Sequence, residues 1–72
     1  MEIQINNQTR VFISAASLQE IMELEGFANM PGIAVALNDT VCPKDEWIKT
    51  KVQEGALITI IKASQGGWAL HL

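Results

Sequence analysis

Two five-residue segments, Ile33-Ala34-Val35-Ala36-Leu37 and Leu57-Ile58-Thr59-Ile60-Ile61, hold nine apolar residues in ten positions. They are too short for buried helices and rich in β-branched types, so they read as strands buried on both faces. A chain of 72 residues has room for one such core and one domain. With 49% apolar and 18% charged residues, it is too hydrophobic and too weakly charged to stay disordered. No apolar stretch approaches the roughly 20 residues a membrane helix needs, and Met1-Glu2-Ile3-Gln4 does not open like a signal peptide. The expected setting is cytoplasmic, with no membrane partner. The single cysteine, Cys42, cannot form an intramolecular disulfide, which suits a reducing compartment. A net charge of −3 without any Lys or Arg cluster excludes nucleic acid as an expected partner.

The remaining segments arrange themselves around those two strands. Glu2 to Asn6 alternates polar and apolar residues, Asn7-Gln8 interrupts, and Arg10 to Ile13 resumes with strand formers, predicting an N-terminal hairpin. Ser14-Ala15-Ala16 ends it. Ser17 with Glu20 forms a capping box that starts a helix, in which Leu18, Ile21, Met22 and Glu25 follow helical spacing beside Leu24; Gly26 stops it. Phe27 to Gly32 is a loop, Asn38-Asp39-Thr40 a turn, Val41-Cys42 a short strand, and Pro43 opens a helical turn through Trp47. Glu54-Gly55 is the last turn before the final strand. A hairpin, a crossing helix and a return strand place the helix on one face of a mixed sheet of four to five strands, with the last strand beside the first. This is an α+β, ubiquitin-like β-grasp order. Residues 1–65 form the domain, and 66–72 form a flexible tail beginning with Gly66-Gly67.

A specific resemblance emerges from these residues. Ile3-x-Ile5-Asn6, the strand Ile33 to Leu37 with Asn38, the Val41-Cys42-Pro43 to Trp47 segment, Glu54-Gly55 before Leu57 to Ile61, and Gly66-Gly67 together resemble the ThiS sulfur carriers of thiamine biosynthesis. The match runs from Met1 to Gly67, and its order and spacing are more specific than any single motif. The small subunit of molybdopterin synthase shares the fold and the ending.

The resemblance implies a carrier rather than an enzyme, with no catalytic residues and no cofactor of its own. A ubiquitin-activating-like enzyme would use ATP to adenylate the Gly67 carboxylate. A sulfur donor such as a cysteine desulfurase system would convert it to a thiocarboxylate, and thiazole synthase would accept the sulfur. Gly66 would let the tail thread a narrow channel, since glycine has no β-carbon to clash. Here, however, Trp68-Ala69-Leu70-His71-Leu72 follows Gly67, whose carbonyl is therefore in an amide bond. Three explanations fit: a precursor trimmed by a tail-removing peptidase, a diverged member that keeps the fold without the chemistry, or vector-derived sequence. Trimming is favoured, because the glycine pair has no packing reason to be there. The family also commonly has an acidic residue after the turn glycine, where Ala56 stands.

Other chemistry-bearing residues read as structural. Cys42 has no adjacent His or basic neighbour and is assigned to buried packing. His71, the only histidine, lies in the tail, so neither a metal site nor a His-based acid/base pair is expected. Asp39, Asp45 and Glu46 read as solvated turn and helix-start charges, and Trp47 as buried against the sheet. Leu18, Phe27 and Met30 read equally as core or as a partner-facing patch. Two other functional readings stand beside the thiazole one. In the first, a β-grasp binding module keeps its tail and docks Trp68, Leu70 and Leu72 on a partner or on its own surface. In the second, a carrier delivers sulfur to molybdopterin or another acceptor.

Overall fold

The computed structural model describes residues 1–13 and 16–62. Strands β1 (Glu2–Ile5) and β2 (Gln8–Val11) form the hairpin, followed by β3 (Ala16–Ser17), helix α1 (Leu18–Glu25), β4 (Ile33–Leu37) and β5 (Thr40–Cys42). A 3-10 helix spans Lys44–Lys49, and β6 (Lys51–Val52) and β7 (Leu57–Lys62) complete the described chain. The main sheet has the order β2-β1-β7-β4-β5, and β3 pairs with β6 in a separate two-stranded ribbon. As the element order predicts, β7 lies beside β1, parallel to it, and pairs antiparallel with β4 on its other side.

The hairpin turn falls one residue earlier than the sequence reading places it. Asn6 and Asn7 both take positive φ, 51° and 68°, the left-handed pair that a two-residue turn of the right twist requires. Asparagine tolerates that conformation and glutamine resists it, so Gln8 is drawn into β2, which ends at Val11 rather than Ile13. Asn38-Asp39 repeats the device with φ of 50° and 69°, which releases Thr40 into β5.

Asn6 does a second job. Its side-chain amide accepts from the Ile60 amide at 2.8 Å and donates to the Ile60 carbonyl at 3.3 Å, while its backbone N–H reaches Ile58 O at 2.9 Å. The side chain thus continues the ladder along β7 past the point where β1 turns away. On the other flank of β7, Asn38 accepts from the Leu57 amide at 2.9 Å and donates its own N–H back to Leu57 O at 2.8 Å.

Helix α1 starts and stops where its sequence dictates. Ser17 Oγ accepts from the Glu20 amide at 3.1 Å, and Glu20 accepts from the Ser17 amide at 2.9 Å, closing the capping box. The Leu18 amide donates to Thr50 O at 2.8 Å, tying the helix start to the end of the 3-10 segment. Gly26, at φ 87°, ends the helix in the left-handed conformation. Leu18, Ile21 and Met22 are fully buried, whereas Leu24 points to solvent.

The core is one layer deep. Ile3, Ile5, Val35, Ile58 and Ile60 from the sheet meet Leu18, Ile21 and Met22 from the helix, with Trp47, Val52, Ala28 and Ala56 closing the rim. Trp47 is buried as expected, and its indole N–H donates to Cys42 O at 2.9 Å, which solves the hydrogen-bond problem a buried indole creates. Cys42 is half-buried rather than buried, its Sγ 3.4 Å from Thr50 Oγ1, because it sits on the edge strand β5. Phe27 packs partly buried against the core, as Leu18 does fully, and Met30 is half-buried. Asp39, Asp45 and Glu46 are exposed.

One expectation is overturned. Strands β4 and β7 are not buried on both faces: β7 alternates, with Ile58 and Ile60 inside and Leu57, Thr59 and Ile61 exposed. The helical layer covers one side of the sheet, and among the described residues no element covers the other. The ribbon of β3 and β6 also went unread, since two-residue strands carry no periodic signal; its core residue is Val52.

Two outcomes test this packing. Trp47→Ala should cost about 3–5 kcal/mol, comparable to the whole stability a core this small supplies, so urea melts should show a largely unfolded chain, whereas Trp47→Phe should stay folded. An alanine variant melting like the parent would contradict the assignment. Separately, Asn6→Gly keeps the turn but removes both links to Ile60 and should lose about 1–2 kcal/mol, while Asn7→Gly, at positive φ with no side-chain hydrogen bond among the described residues, should be neutral or slightly stabilised. Equal effects of the two glycine substitutions would remove the case for an Asn6 clamp.

Candidate functional site

The expected site residues, Gly66 and Gly67, lie outside the described residues, as do the tail from Trp68 to Leu72 and the domain boundary at residue 65. What the structure supplies is the platform from which that segment departs. Strand β7 runs up the middle of the sheet between β1 and β4, and its last residue, Lys62, pairs with Ile33 at the start of β4. The chain therefore leaves the fold from the central strand rather than from an edge. The Asn6 clamp fixes β7 at Ile60, two residues before Lys62, and the β4 ladder holds it through Lys62 itself.

Beside this exit lies the uncovered face of the sheet. Strand alternation places Leu57, Thr59 and Ile61 of β7 there, together with Ala34 and Ala36 of β4 and Val41 of β5. Register sets them in rows: Ile61 opposite Ala34, and Thr59, Ala36 and Val41 in line across three strands. Val41 is 69% exposed, Leu57 49% and Ile61 42%, which is a large apolar outlay for a face touching water. The alanines between them keep the surface low, so a flat apolar floor is bounded by taller aliphatic side chains. Polar residues rim it, with Gln4 beside Leu57 across the β1–β7 pair and Thr9 beyond it on β2. Contiguous exposed apolar surface of this kind marks interaction sites on soluble domains.

The chemistry available on the described surface is slight. Among the described residues no group of three His, Cys, Asp or Glu is placed to hold a metal ion. The one ion pair there, Arg10 Nε to Glu25 Oε1 at 3.4 Å, ties β2 to the helix end; it is partly solvated and adds little stability. No helix of the described residues is long and apolar enough to cross a membrane. The arrangement suits recognition and presentation of a segment.

Sequence reasoning missed the open face because it gave the same apolar residues to a two-sided core. The signal that would have found it is arithmetic: one eight-residue amphipathic helix covers one side of a five-stranded sheet, so alternate apolar positions of β7 have to face outward.

Comparison with known proteins joins these observations. The chain matches a crystal structure named thiamine biosynthesis protein (ThiS) from Geobacter metallireducens with a TM-score of 0.80 and 19% identity, over 93% of this chain and 100% of that one. A solution structure of a thiamine biosynthesis protein from the same organism matches with a TM-score of 0.74 and 20% identity, over 93% of this chain and 88% of the other. At these identities the likeness speaks for the fold. No curated protein matches at the level of sequence. The model of the ThiS family matches residues 3–67, from the first strand to the second glycine of the pair. A match over that span places the chain in the ThiS family, with the ubiquitin-like β-grasp fold.

Proposed function

We propose that this chain is a sulfur carrier for thiazole formation in thiamine biosynthesis, acting in the cytoplasm through Gly67 as a cosubstrate of other enzymes. The observation that carries the reading is that the family match ends at Gly67, five residues before Leu72. A peptidase first hydrolyses the Gly67–Trp68 amide, leaving a free carboxylate. An adenylating enzyme of the ubiquitin-activating kind then takes that carboxylate as nucleophile toward the α-phosphorus of ATP, and pyrophosphate leaves. The acyl-adenylate has AMP as a good leaving group. A hydrosulfide equivalent from a cysteine desulfurase system displaces it, and sulfur replaces one oxygen. The thiocarboxylate then delivers its sulfur to thiazole synthase.

Two features of the fold are in keeping with this reading. The described chain ends at Lys62 on the central strand rather than on a sheet edge, and Gly66-Gly67 carries no side chain to obstruct a narrow channel. The flat apolar face beside the exit offers the adenylating enzyme a surface to grip while the tail is threaded. With Val41, Leu57 and Ile61 all exposed there, it has the apolar character of an interface centre.

A chain ending at Gly67, incubated with the adenylating enzyme, ATP and a sulfur source, should gain about 16 Da as sulfur replaces oxygen, whereas the 72-residue chain should gain nothing. Failure of the shortened chain to form either adenylate or thiocarboxylate would overturn the reading. Transfer of the sulfur to a molybdopterin precursor, and not to thiazole synthase, would reassign the acceptor.

A further inference from the structure

We infer that two copies of this chain associate through strand β2, each pairing antiparallel with the other about a two-fold axis at Val11, so that two main sheets join into one. The pairing does not depend on the carrier reading.

The backbone of β2 is prepared for this. Ile3 pairs with Arg10 and Ile5 with Gln8, while Met1 and Phe12 each donate to the other's carbonyl, so these residues turn their ladder groups toward β1. The alternation leaves Thr9 and Val11 with N–H and C=O aimed outward, at an edge that no other described strand covers. Among the described residues the only contact made there is a long one, from Arg10 Nη1 to Thr9 O at 3.4 Å. The edge also lacks the usual guards against pairing. Strand β2 carries neither proline nor lysine, and Arg10 folds its guanidinium back toward Gln8 and Glu25. The opposite edge, β5, has three residues and is closed off by Pro43.

The side chains at this edge have apolar surface to bury. Ile13 and Val11, 104% and 75% exposed, are the two most exposed large apolar residues described; Val11 ends β2 and Ile13 follows just beyond it. What selects a second copy as the occupant is the register. Centring the pair on Arg10 would set two like charges directly opposite each other, which destabilises a ladder. Centring it on Thr9 would oppose Val11 to Asn7, which has turned out of the ladder at φ 68°, and would leave Val11 and Ile13 in water. Centring on Val11 does neither. The two Val11 side chains meet across the axis on the outer face, and Ile13 of each copy comes over Thr9 of the other. On the inner face each Arg10 stands opposite the partner copy's Phe12, an arrangement that suits cation–π contact.

Symmetry closes the assembly, because each copy has then used this edge and pairing stops at two. The axis lies at the far side of β1 from β7, so both chain exits at Lys62 stay clear of the join. A contact confined to one short strand falls well below the roughly 800 Å² per partner of a stable interface, so the dimer is a transient one, half-formed at about 0.1–1 mM.

NMR on the full 72-residue chain over a concentration series tests this. The Thr9 and Val11 amide signals should shift progressively, and their hydrogen exchange should slow about twofold at the midpoint, where half of the molecules bury them. In a mixture of differently labelled copies, the α-protons of Arg10 and Phe12, which face each other in a non-hydrogen-bonded pair, should give an intermolecular Overhauser contact. Val11→Lys sets two like charges together at the axis and should abolish the concentration dependence while leaving the Trp47 and Asn6 signals, and hence the fold, unmoved. Spectra independent of concentration up to about 1 mM would overturn the proposal. So would a dimer that survives Val11→Lys, or an intermolecular contact of Arg10 with Arg10.

Discussion

The parallel pairing of β1 with β7 is the contact on which the rest of the molecule depends. It joins residues near the start of the chain to residues more than fifty positions later, so the sheet closes only when nearly the whole domain is in place. Its ladder is short, Gln4 with Leu57 and Ile5 with Ile58, and a slip of one residue would turn Ile58 and Ile60 out of the core. Two asparagines guard against that slip. Asn6 on one flank and Asn38 on the other lend side-chain groups to the β7 backbone just where their own strands turn away. Each also occupies the first left-handed position of its turn, so a single residue type sets strand length and register together.

With β7 fixed in the middle, the division of labour between the two faces of the sheet follows. The inner face receives α1, the 3-10 helix and the rim residues, and it accounts for the buried core. The outer face has no such cover among the described residues, yet it carries aliphatic side chains on β5 and β7. A small domain gains nothing in solubility from leaving them in water. Their placement joins the core to the proposed site: the strand that organises the core is also the one from which the chain leaves the described fold, next to this exposed apolar face. A partner gripping that face would meet the chain's exit at Lys62, where the β4 ladder holds the end of β7 in register.

Much of this was legible in the sequence. The capping box of Ser17 and Glu20, the stop at Gly26, the helical turn after Pro43 and the burial of Trp47 are local chemistry, and local chemistry is what a sequence states most directly. The strand order was legible for a different reason, since few topologies connect a hairpin, a helix and a return strand without crossing. What sequence reading missed was non-local. Whether Leu57 and Ile61 face a second layer depends on how many helices exist to form one, and no residue near them records that. The hairpin turn was displaced because Asn6 fits both the end of a strand and the start of a turn. The tethering of β3 to β6 rests on two residues a side. Of the proposed site, the glycine pair was conspicuous in the sequence, whereas the apolar face beside the end of β7 became visible only in three dimensions.

The central claim is that residue 67 becomes the end of the working molecule. Intact-mass measurement of the protein purified from the cells that make it tests this without any assumption about partners. The account predicts a species ending at Gly67, carrying either a carboxylate or a thiocarboxylate. A cellular pool in which every molecule retains Trp68 to Leu72 would contradict it, leaving a ThiS-family fold without the chemistry of a carrier.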